Sequence, residues 1–379
     1  MDTGQSTGQN TGQGMGLDGV VAAVTNLSQV DGKAGRLIVR GRDIEDLAGS
    51  YDFADMAVLL WDGLVPDLPN ADVVRRSLGQ ARLQAAETLP LLLPAAQGLS
   101  PIEGLRAGLA LFNDQDCDHL LLCAAVPVFA AALWRQSHGS RPIAPNPNSG
   151  QAEDFLAMLN DGTVDGAAAR ALKTYLVTVA DHGLNASTFT ARVVASTKAG
   201  IVSSVVAALC ALKGPLHGGA PGPVLDMLDE IGDPSGVAPW LDAQFAAGER
   251  LMGFGHRVYR TRDPRADVLK GVVSDLRGNL CRGPNRIELA ERVEKEVLRR
   301  LAERYPDRGL DTNVEFYTAL ALEAIVLPRE LFTLAFAMGR VVGWTAHIFE
   351  QEQTGRIIRP ASRYTGPIPE GRKLSAIAG

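Results

Sequence analysis

Hydrophobic residues recur at helical spacing along most of this chain, and that periodicity constrains the possible folds more than any other feature. Leu172, Tyr175, Leu176 and Val179 form one stripe of apolar residues three and four positions apart. A second stripe of this kind runs through residues 287–301. The pattern predicts helices over 70–86, 101–113, 119–136, 189–197, 202–212, 224–231, 240–252 and 330–351. Because alternating apolar patterns are nearly absent, the sequence predicts an all-α fold.

The first residues of the chain depart from this pattern. Residues 20–24 and 36–40 are rich in apolar residues, and they could pair as strands across a turn at Asp31 and Gly32. Before them, residues 1–16 repeat Thr-Gly-Gln without a basic start or an apolar core. That composition predicts a disordered tail and not a secretory signal. The length of 379 residues is more than one core usually serves, so we expect two domains.

Charge and composition narrow the class of protein. The formal net charge is −6, which argues against a broad nucleic-acid surface but leaves room for an anionic small molecule in a pocket lined by arginines. We find no apolar run of the length that a membrane helix needs, so no membrane segment is expected. The 4 cysteines lack metal-binding spacing, which predicts buried free thiols in a reducing cytoplasm.

One loop, residues 253–265, concentrates groups suited to chemistry. Gly253 and Gly255 allow a close approach of the backbone to a ligand, and His256 follows them directly. Arg260 and Arg265 carry planar guanidinium groups that match phosphate or carboxylate. The alternative is a surface loop with solvated arginines.

Two further histidines favour the chemical interpretation. His217 lies in a second glycine loop, residues 214–219. His182 falls at a junction between two predicted helices, where a polar side chain can face a cleft. Taken alone, His182 is better explained as a residue that caps a helix.

Six motifs occur in one order along the chain: Asp181-His182-Gly183-Leu184-Asn185-Ala186-Ser187-Thr188, Gly214-Pro215-Leu216-His217-Gly218-Gly219, Gly253-Phe254-Gly255-His256-Arg257-Val258-Tyr259, Asp263-Pro264-Arg265, Asn313-Val314-Glu315-Phe316-Tyr317 and Arg356-Ile357-Ile358-Arg359-Pro360. In sequence, order and spacing the chain resembles the citrate synthase family, of the short bacterial citrate synthase and 2-methylcitrate synthase type. The resemblance covers roughly residues 17–366.

The resemblance implies a two-domain helical fold. A large domain would comprise residues 17–217 and 326–379, and a smaller helical domain residues 218–325. It also implies a homodimer with its active sites in clefts between the domains, where closure over the first substrate would complete the site for acyl-CoA.

The implied reaction joins acetyl-CoA to oxaloacetate and hydrolyses the thioester of the product to give citrate and CoA. By motif position, Glu315 is the base that removes a proton from the acetyl methyl group. His217 is the donor to the thioester oxygen, and His256 donates to the ketone of oxaloacetate. These three are the implied catalytic residues.

The same resemblance assigns the binding residues. Arg265, Arg340 and Arg359 match a clamp for the two carboxylates of oxaloacetate, with Arg359 reaching across from the partner subunit. His182 matches a further contact to oxaloacetate. Arg260 and, more weakly, Arg356 match contacts to the phosphates of CoA. No metal and no cofactor beyond the CoA thioester substrate is implied.

The chain departs from the family pattern at Glu315. The most familiar motif has Asp there, followed by Phe-Tyr-Ser-Gly, whereas this chain has Phe-Tyr-Thr-Ala. Misplacing a base by about 1 Å can cost on the order of a hundredfold in rate. Either the neighbouring backbone compensates, or the enzyme is slow, or its acyl group differs. A structural alternative is that Glu315 serves as a favourable charge at a helix N-terminus.

The sequence leaves two other functions open. A 2-methylcitrate synthase acting on propionyl-CoA would use the same polar residues, because one methylene is worth only about 1–3 kcal/mol in a pocket. A non-catalytic paralogue that binds oxaloacetate or CoA would keep the arginines without turnover. The pathway, citric acid cycle or propionate disposal, depends on that choice.

Overall fold

The structure is a computed structural model that describes residues 17, 19–219, 221–256, 258–277, 285–362 and 364–369. The tail predicted for residues 1–16 lies outside this part of the chain. Within it the predicted all-α class is confirmed, because helices form nearly all of the regular structure.

Helices α1 to α8 are Ile44–Ser50, Phe53–Trp61, Ala71–Ala86, Leu89–Ala95, Pro101–Leu109, His119–Ser137, Gln151–Leu159 and Gly166–Thr178. Helices α9 to α16 are Ala186–Ala195, Ile201–Leu212, Pro221–Ile231, Val237–Ala247, Pro264–Asp275, Asn285–Arg304, Val314–Ala324 and Phe332–Thr354.

A small antiparallel sheet precedes the helices. Its strands are β1 (Ser28–Asp31), β2 (Arg36–Val39) and β3 (Arg42–Asp43), with Ser28 opposite Val39. The strand predicted at residues 20–24 was wrong. Asp31 closes the turn immediately after β1 by accepting the backbone N–H groups of Lys33 and Ala34, so the pairing segment is the one that ends at Asp31.

Two predicted core helices are long and apolar enough to resemble membrane-spanning segments. The segments His119–Ser137 and Arg329–Thr354 are long and apolar enough to cross a membrane by length and composition, so the expectation that no segment would qualify was wrong. Of the apolar 18-residue window in each segment, 72% and 89%, respectively, is buried inside the protein. Since α6 packs on α3 and α16 packs on α9, both are typical of core helices.

Helix α16 lies unusually close to the end of α8. A Cβ atom added at Gly343 would stand 2.2 Å from the backbone oxygen of Ala180, and one at Gly339 would stand 2.5 Å from Cγ2 of Val179. The two glycines therefore let α16 approach the residues that lead into His182.

We expect Gly343→Ala to destabilise the protein by about 1–3 kcal/mol, because the new methyl group overlaps the backbone of Ala180. Urea unfolding measures this free energy. The matched control is Gly271→Ala on α13, where an added Cβ meets nothing within 4 Å, and it should leave stability unchanged or raise it by about 0.5–1 kcal/mol. Equal effects at the two positions would contradict the close approach of α16 to α8.

Candidate active site

The glycine loop that carries His256 is tied to the segment that begins α15. Gly253 and Gly255 have φ angles of 84° and 75°, which glycine adopts without strain. The backbone N–H of Asn313 donates to the oxygen of Gly253 at 3.0 Å, and its side-chain amide donates to the oxygen of Gly255 at 2.9 Å. These two hydrogen bonds place His256 beside the first turn of α15, which contains Glu315.

His256 is held as a neutral hydrogen-bond donor. Its Nδ1 accepts the backbone N–H groups of Val258 at 3.0 Å and of Tyr259 at 3.2 Å, so the ring proton of the neutral form lies on Nε2. Burial, and then the charge of Arg265, lowers the pKa of His256 to about 4. At neutral pH the ring can therefore donate through Nε2 without carrying a charge.

His182 follows α8 by four residues, and its buried ring lies near that of His256. Its Nε2 lies 3.2 Å from the hydroxyl of Tyr259, and its ring centroid is 5.7 Å from that of His256. Burial lowers the pKa of His182 well below its usual value, and the charges of Arg265 and Arg340 lower it further. The cap of α9 is Asn185, which accepts the backbone N–H of Thr188, so the structure does not use His182 for that purpose.

His217 reaches the cluster from the second glycine loop. Its Nε2 lies 2.8 Å from Oγ of Ser187, which also receives a hydrogen bond from Nε1 of Trp344 and donates to Oδ1 of Asn185. In that arrangement Nε2 of His217 carries the proton. Turning the single hydroxyl proton of Ser187 towards Nε2 would move the ring proton to Nδ1 and make Nδ1 a donor. Burial lowers the pKa of His217 to about 4, so this ring too is neutral at pH 7.

His217 and His256 should make folding stability depend on pH. Their pKa values are about 4 in the folded protein, against an ordinary value of 6.5. Between these values the unfolded chain binds more protons, so the free energy of unfolding should fall as pH falls from about 6.5 towards about 4, by up to about 1.4 kcal/mol per pH unit for each ring.

Urea unfolding at about pH 7.5, 6 and 5 measures that slope. The variant His217→Gln should show a shallower slope than the wild type, because one depressed ring has been removed. Parallel slopes for the two proteins would show that the His217 ring is not held neutral.

Two buried arginines face the histidines. Arg340 on α16 donates from Nε to the backbone oxygen of Val179 at 2.6 Å. Within the described residues, its Nη1 is the buried side-chain nitrogen or oxygen atom that has no hydrogen-bond partner. Arg265 on α13 places its Nε and Nη2 on the carboxylate of Asp263 at 3.0 and 2.8 Å. Burial lowers the pKa of Arg340 to about 10, which leaves it charged at pH 7.

Glu315 occupies the first turn of α15 and is partly buried. Its backbone N–H is bound by the side chain of Asn313 at 3.0 Å. Burial raises the pKa of the carboxyl group, while the charges of Arg250 and Arg265 act in the opposite direction and that of Asp263 adds to the rise. A carboxylate of raised pKa next to neutral imidazoles is suited to removing a proton.

Six of the residues predicted from the sequence therefore meet in one cluster: His182, His217, His256, Arg265, Glu315 and Arg340. Three do not join it within this single chain. Arg260 is exposed, with its backbone N–H bound to the oxygen of Gly32. Arg356 and Arg359 are exposed and line a cavity of about 820 Å³ between the segments near residues 17–26 and 354–360.

Three contributing side chains were not predicted from the sequence. Tyr259 contacts His182, Ser187 contacts His217, and Asp263 holds Arg265. All three lie inside the motifs, so the signal was present. The partners of Tyr259 and Ser187 lie far away in the sequence, and the contact between Asp263 and Arg265 depends on side-chain orientation. Motif spacing alone reveals neither.

The described residues contain no group of three or more His, Cys, Asp or Glu side chains placed to hold a metal ion. Cys117 and Cys123 are buried free thiols, as predicted, whereas Cys210 is exposed, which corrects the expectation for that residue. Cys281 lies outside the described ranges.

Comparison with known proteins identifies the family. A family model described as "Citrate synthase, C-terminal domain" matches residues 16–361. The chain belongs to the citrate synthase family. A citrate synthase from Acidithiobacillus ferridurans is 36% identical over 93% of this chain and 95% of its own length. A 2-methylcitrate synthase from Mycobacterium tuberculosis is 35% identical over 93% of this chain and 90% of its own.

A solved structure agrees with this family assignment. The ternary complex of citrate synthase from Thermoplasma acidophilum with carboxymethyl coenzyme A and oxaloacetate is 28% identical, with a TM-score of 0.84, and covers 96% of this chain and 98% of that one. The predicted resemblance, the helical citrate synthase-like fold and the assignment to an acyltransferase family are thereby confirmed.

Proposed function

We propose that this protein condenses acetyl-CoA with oxaloacetate and hydrolyses the resulting thioester to citrate and CoA. The observation that carries the proposal is the buried Nη1 of Arg340, which has no partner among the described residues and belongs to the cluster of neutral histidines. A buried guanidinium nitrogen without a hydrogen-bond partner is costly, and a ligand carboxylate removes that cost.

Two arginines suit a dicarboxylate. Arg265 is oriented by Asp263 through Nε and Nη2, which leaves the Nη1 edge for a second carboxylate. Because His182 and His256 are neutral, their rings can bind the polar atoms between the two carboxylates as donors.

The proposed chemistry follows from the protonation states. The Glu315 carboxylate removes a proton from the acyl methyl group, and Nδ1 of His217 donates to the thioester oxygen once Ser187 has turned its proton. Nε2 of His256 donates to the ketone and makes its carbon more electrophilic. The new C–C bond then forms between the methyl carbon and the ketone carbon, and water releases CoA.

The proposal also covers the assembly, the contacts to CoA, domain closure and the compartment. We propose a homodimer in which Arg359 completes the partner's carboxylate site, and contacts from Arg260 and Arg356 to the CoA phosphates. We also propose that the domains 17–217 with 326–379, and 218–325, close over oxaloacetate. The proposed compartment is the cytoplasm, and no cofactor besides the thioester substrate is proposed.

The second candidate is 2-methylcitrate synthesis from propionyl-CoA. It is favoured by the 35% identical relative that carries that name and by the longer Glu315 side chain, which changes the space around the acyl methyl group. The polar residues would act in the same way on either acyl group.

The test is release of free CoA, followed with a thiol reagent, from acetyl-CoA or propionyl-CoA with and without oxaloacetate. We expect release that depends on oxaloacetate and is faster with acetyl-CoA. Faster release with propionyl-CoA would select the second candidate. Oxaloacetate binding without release from either thioester would overturn both and leave a non-catalytic binding protein.

A further inference from the structure

A buried carboxylate, Asp263, joins two parts of the proposed site. It is 1% exposed and caps α13 by accepting the backbone N–H of Arg265 at 3.1 Å. The same carboxylate receives Nε and Nη2 of Arg265 and, at 3.2 Å, the backbone N–H of Val314. Val314 is the first residue of α15 and directly precedes Glu315. One side chain thus touches both the arginine of the carboxylate clamp and the helix turn that holds the base.

These contacts restrict how Arg265 can meet a ligand. A guanidinium has a long, flexible stem, and its planar fork must be oriented before it can bind a carboxylate in two-point fashion. Asp263 occupies the edge formed by Nε and Nη2, so the ligand meets the remaining edge in a fixed plane. The backbone bond from Val314 fixes the start of α15 against the same carboxylate.

The charge of Asp263 acts on the same groups. Arg250 and Arg265 stabilise the ionised form of Glu315, and Asp263 opposes them. On α11, which also packs against α15, Asp226 and Asp229 are bound to Arg329.

Helix α8 presents one further titratable group towards this region. Burial raises the pKa of Tyr175, so its hydroxyl is neutral at pH 7. Asp263 is therefore the negative charge that counters Arg265 next to the base.

We propose that Asp263 is a positioning residue of the reaction: it orients Arg265 for one substrate carboxylate and holds Glu315 and Arg265 in a fixed relation. The inference rests on the proposed function and adds a role to a residue that touches neither substrate nor reacting atoms.

The test compares Asp263→Asn with Asp267→Asn, which removes an exposed carboxylate of α13 that pairs with Arg262. For Asp263→Asn we expect the KM for oxaloacetate to rise by about tenfold or more. The amide has one acceptor oxygen where the carboxylate has two, so one of the two bonds to Arg265 is lost and the other no longer has a charged acceptor. We also expect the acidic limb of the kcat–pH profile to move to lower pH, since Arg250 and Arg265 then act on Glu315 unopposed. Asp267→Asn should match the wild type in both respects.

A conservative variant separates geometry from charge. Asp263→Glu keeps the negative charge, so the acidic limb should return to its wild-type position while the KM for oxaloacetate stays raised. A wild-type KM and pH limb in Asp263→Asn would overturn the proposal, as would a loss of activity that tracks melting temperature alone. If Asp263→Asn does not fold, an unchanged KM in Asp263→Glu overturns it instead.

Calorimetric binding of oxaloacetate keeps this test distinct from that of the proposed function. Wild-type protein that binds oxaloacetate but releases no CoA would defeat the proposed reaction. Weaker oxaloacetate binding by Asp263→Asn would still support the orientation of Arg265, and equal binding by the two proteins would refute it.

Discussion

Glu315→Gln should lower kcat by about 10²–10⁴-fold while leaving the KM for oxaloacetate within about threefold, because the change removes a base and keeps the shape of the side chain. Glu315 stands in a cluster with two histidines of pKa about 4. Those rings are neutral, yet in the proposed chemistry both act as donors. The Glu315 carboxylate is therefore the group proposed to accept the methyl proton. Steady-state release of CoA at saturating oxaloacetate measures the effect.

A matched control tests the structural explanation of Glu315. Glu288 also lies in the first turn of a helix, α14, and is exposed. If both carboxylates served only the helix dipole, Glu288→Gln and Glu315→Gln would each cost about 0.3–1 kcal/mol of stability and leave kcat unchanged. We expect that result for Glu288→Gln alone.

The variant Glu315→Asp addresses the departure from the familiar motif. It keeps the carboxylate and shortens its reach by one methylene. If the backbone around Glu315 compensates for the longer side chain, the shorter one is misplaced, and kcat should fall by on the order of tenfold to a hundredfold. A rate equal to or above that of the wild type would show that the site has no need of the extra length.

Helix positions were predictable because their cause is local. Apolar stripes at helical spacing indicated the buried faces, and the predicted helices 70–86 and 202–212 agree closely with α3 and α10. Ends were less predictable: the helix expected to reach residue 252 ends at Ala247, where Gly248 takes a left-handed φ of 71°. The strand before Asp31 was misplaced because the turn that fixes it depends on one side chain.

Motif order predicted which residues form the cluster, but it did not predict their protonation or their hydrogen bonds. The sequence located His256, but only the two N–H groups that point at Nδ1 show which ring nitrogen carries the proton. It located Arg340, but the unpartnered Nη1 depends on the close packing of α16 on α8. Arg359 was predicted to act across an interface, and a single chain leaves that prediction open to experiment.

Arg340→Leu should raise the KM for oxaloacetate by about 10–150-fold, because a hydrogen bond to a charged group contributes about 1.5–3 kcal/mol. The KM for acetyl-CoA should change much less, since the guanidinium is proposed to bind the carboxylate of the other substrate. Initial rates over a grid of both substrate concentrations give the two constants separately.

Two further variants decide whether the effect comes from the fork of Arg340 or from charge in general. Arg340→Lys keeps the charge but loses the planar group, so its KM should lie between those of the wild type and Arg340→Leu. Arg299→Leu removes an exposed arginine of α14 that pairs with Glu296 and Glu303, and it should leave both constants unchanged. If Arg340→Leu raised both KM values equally, or only lowered the melting temperature, Arg340 would be part of the packing between α16 and α8. The dicarboxylate site would then need a different cation.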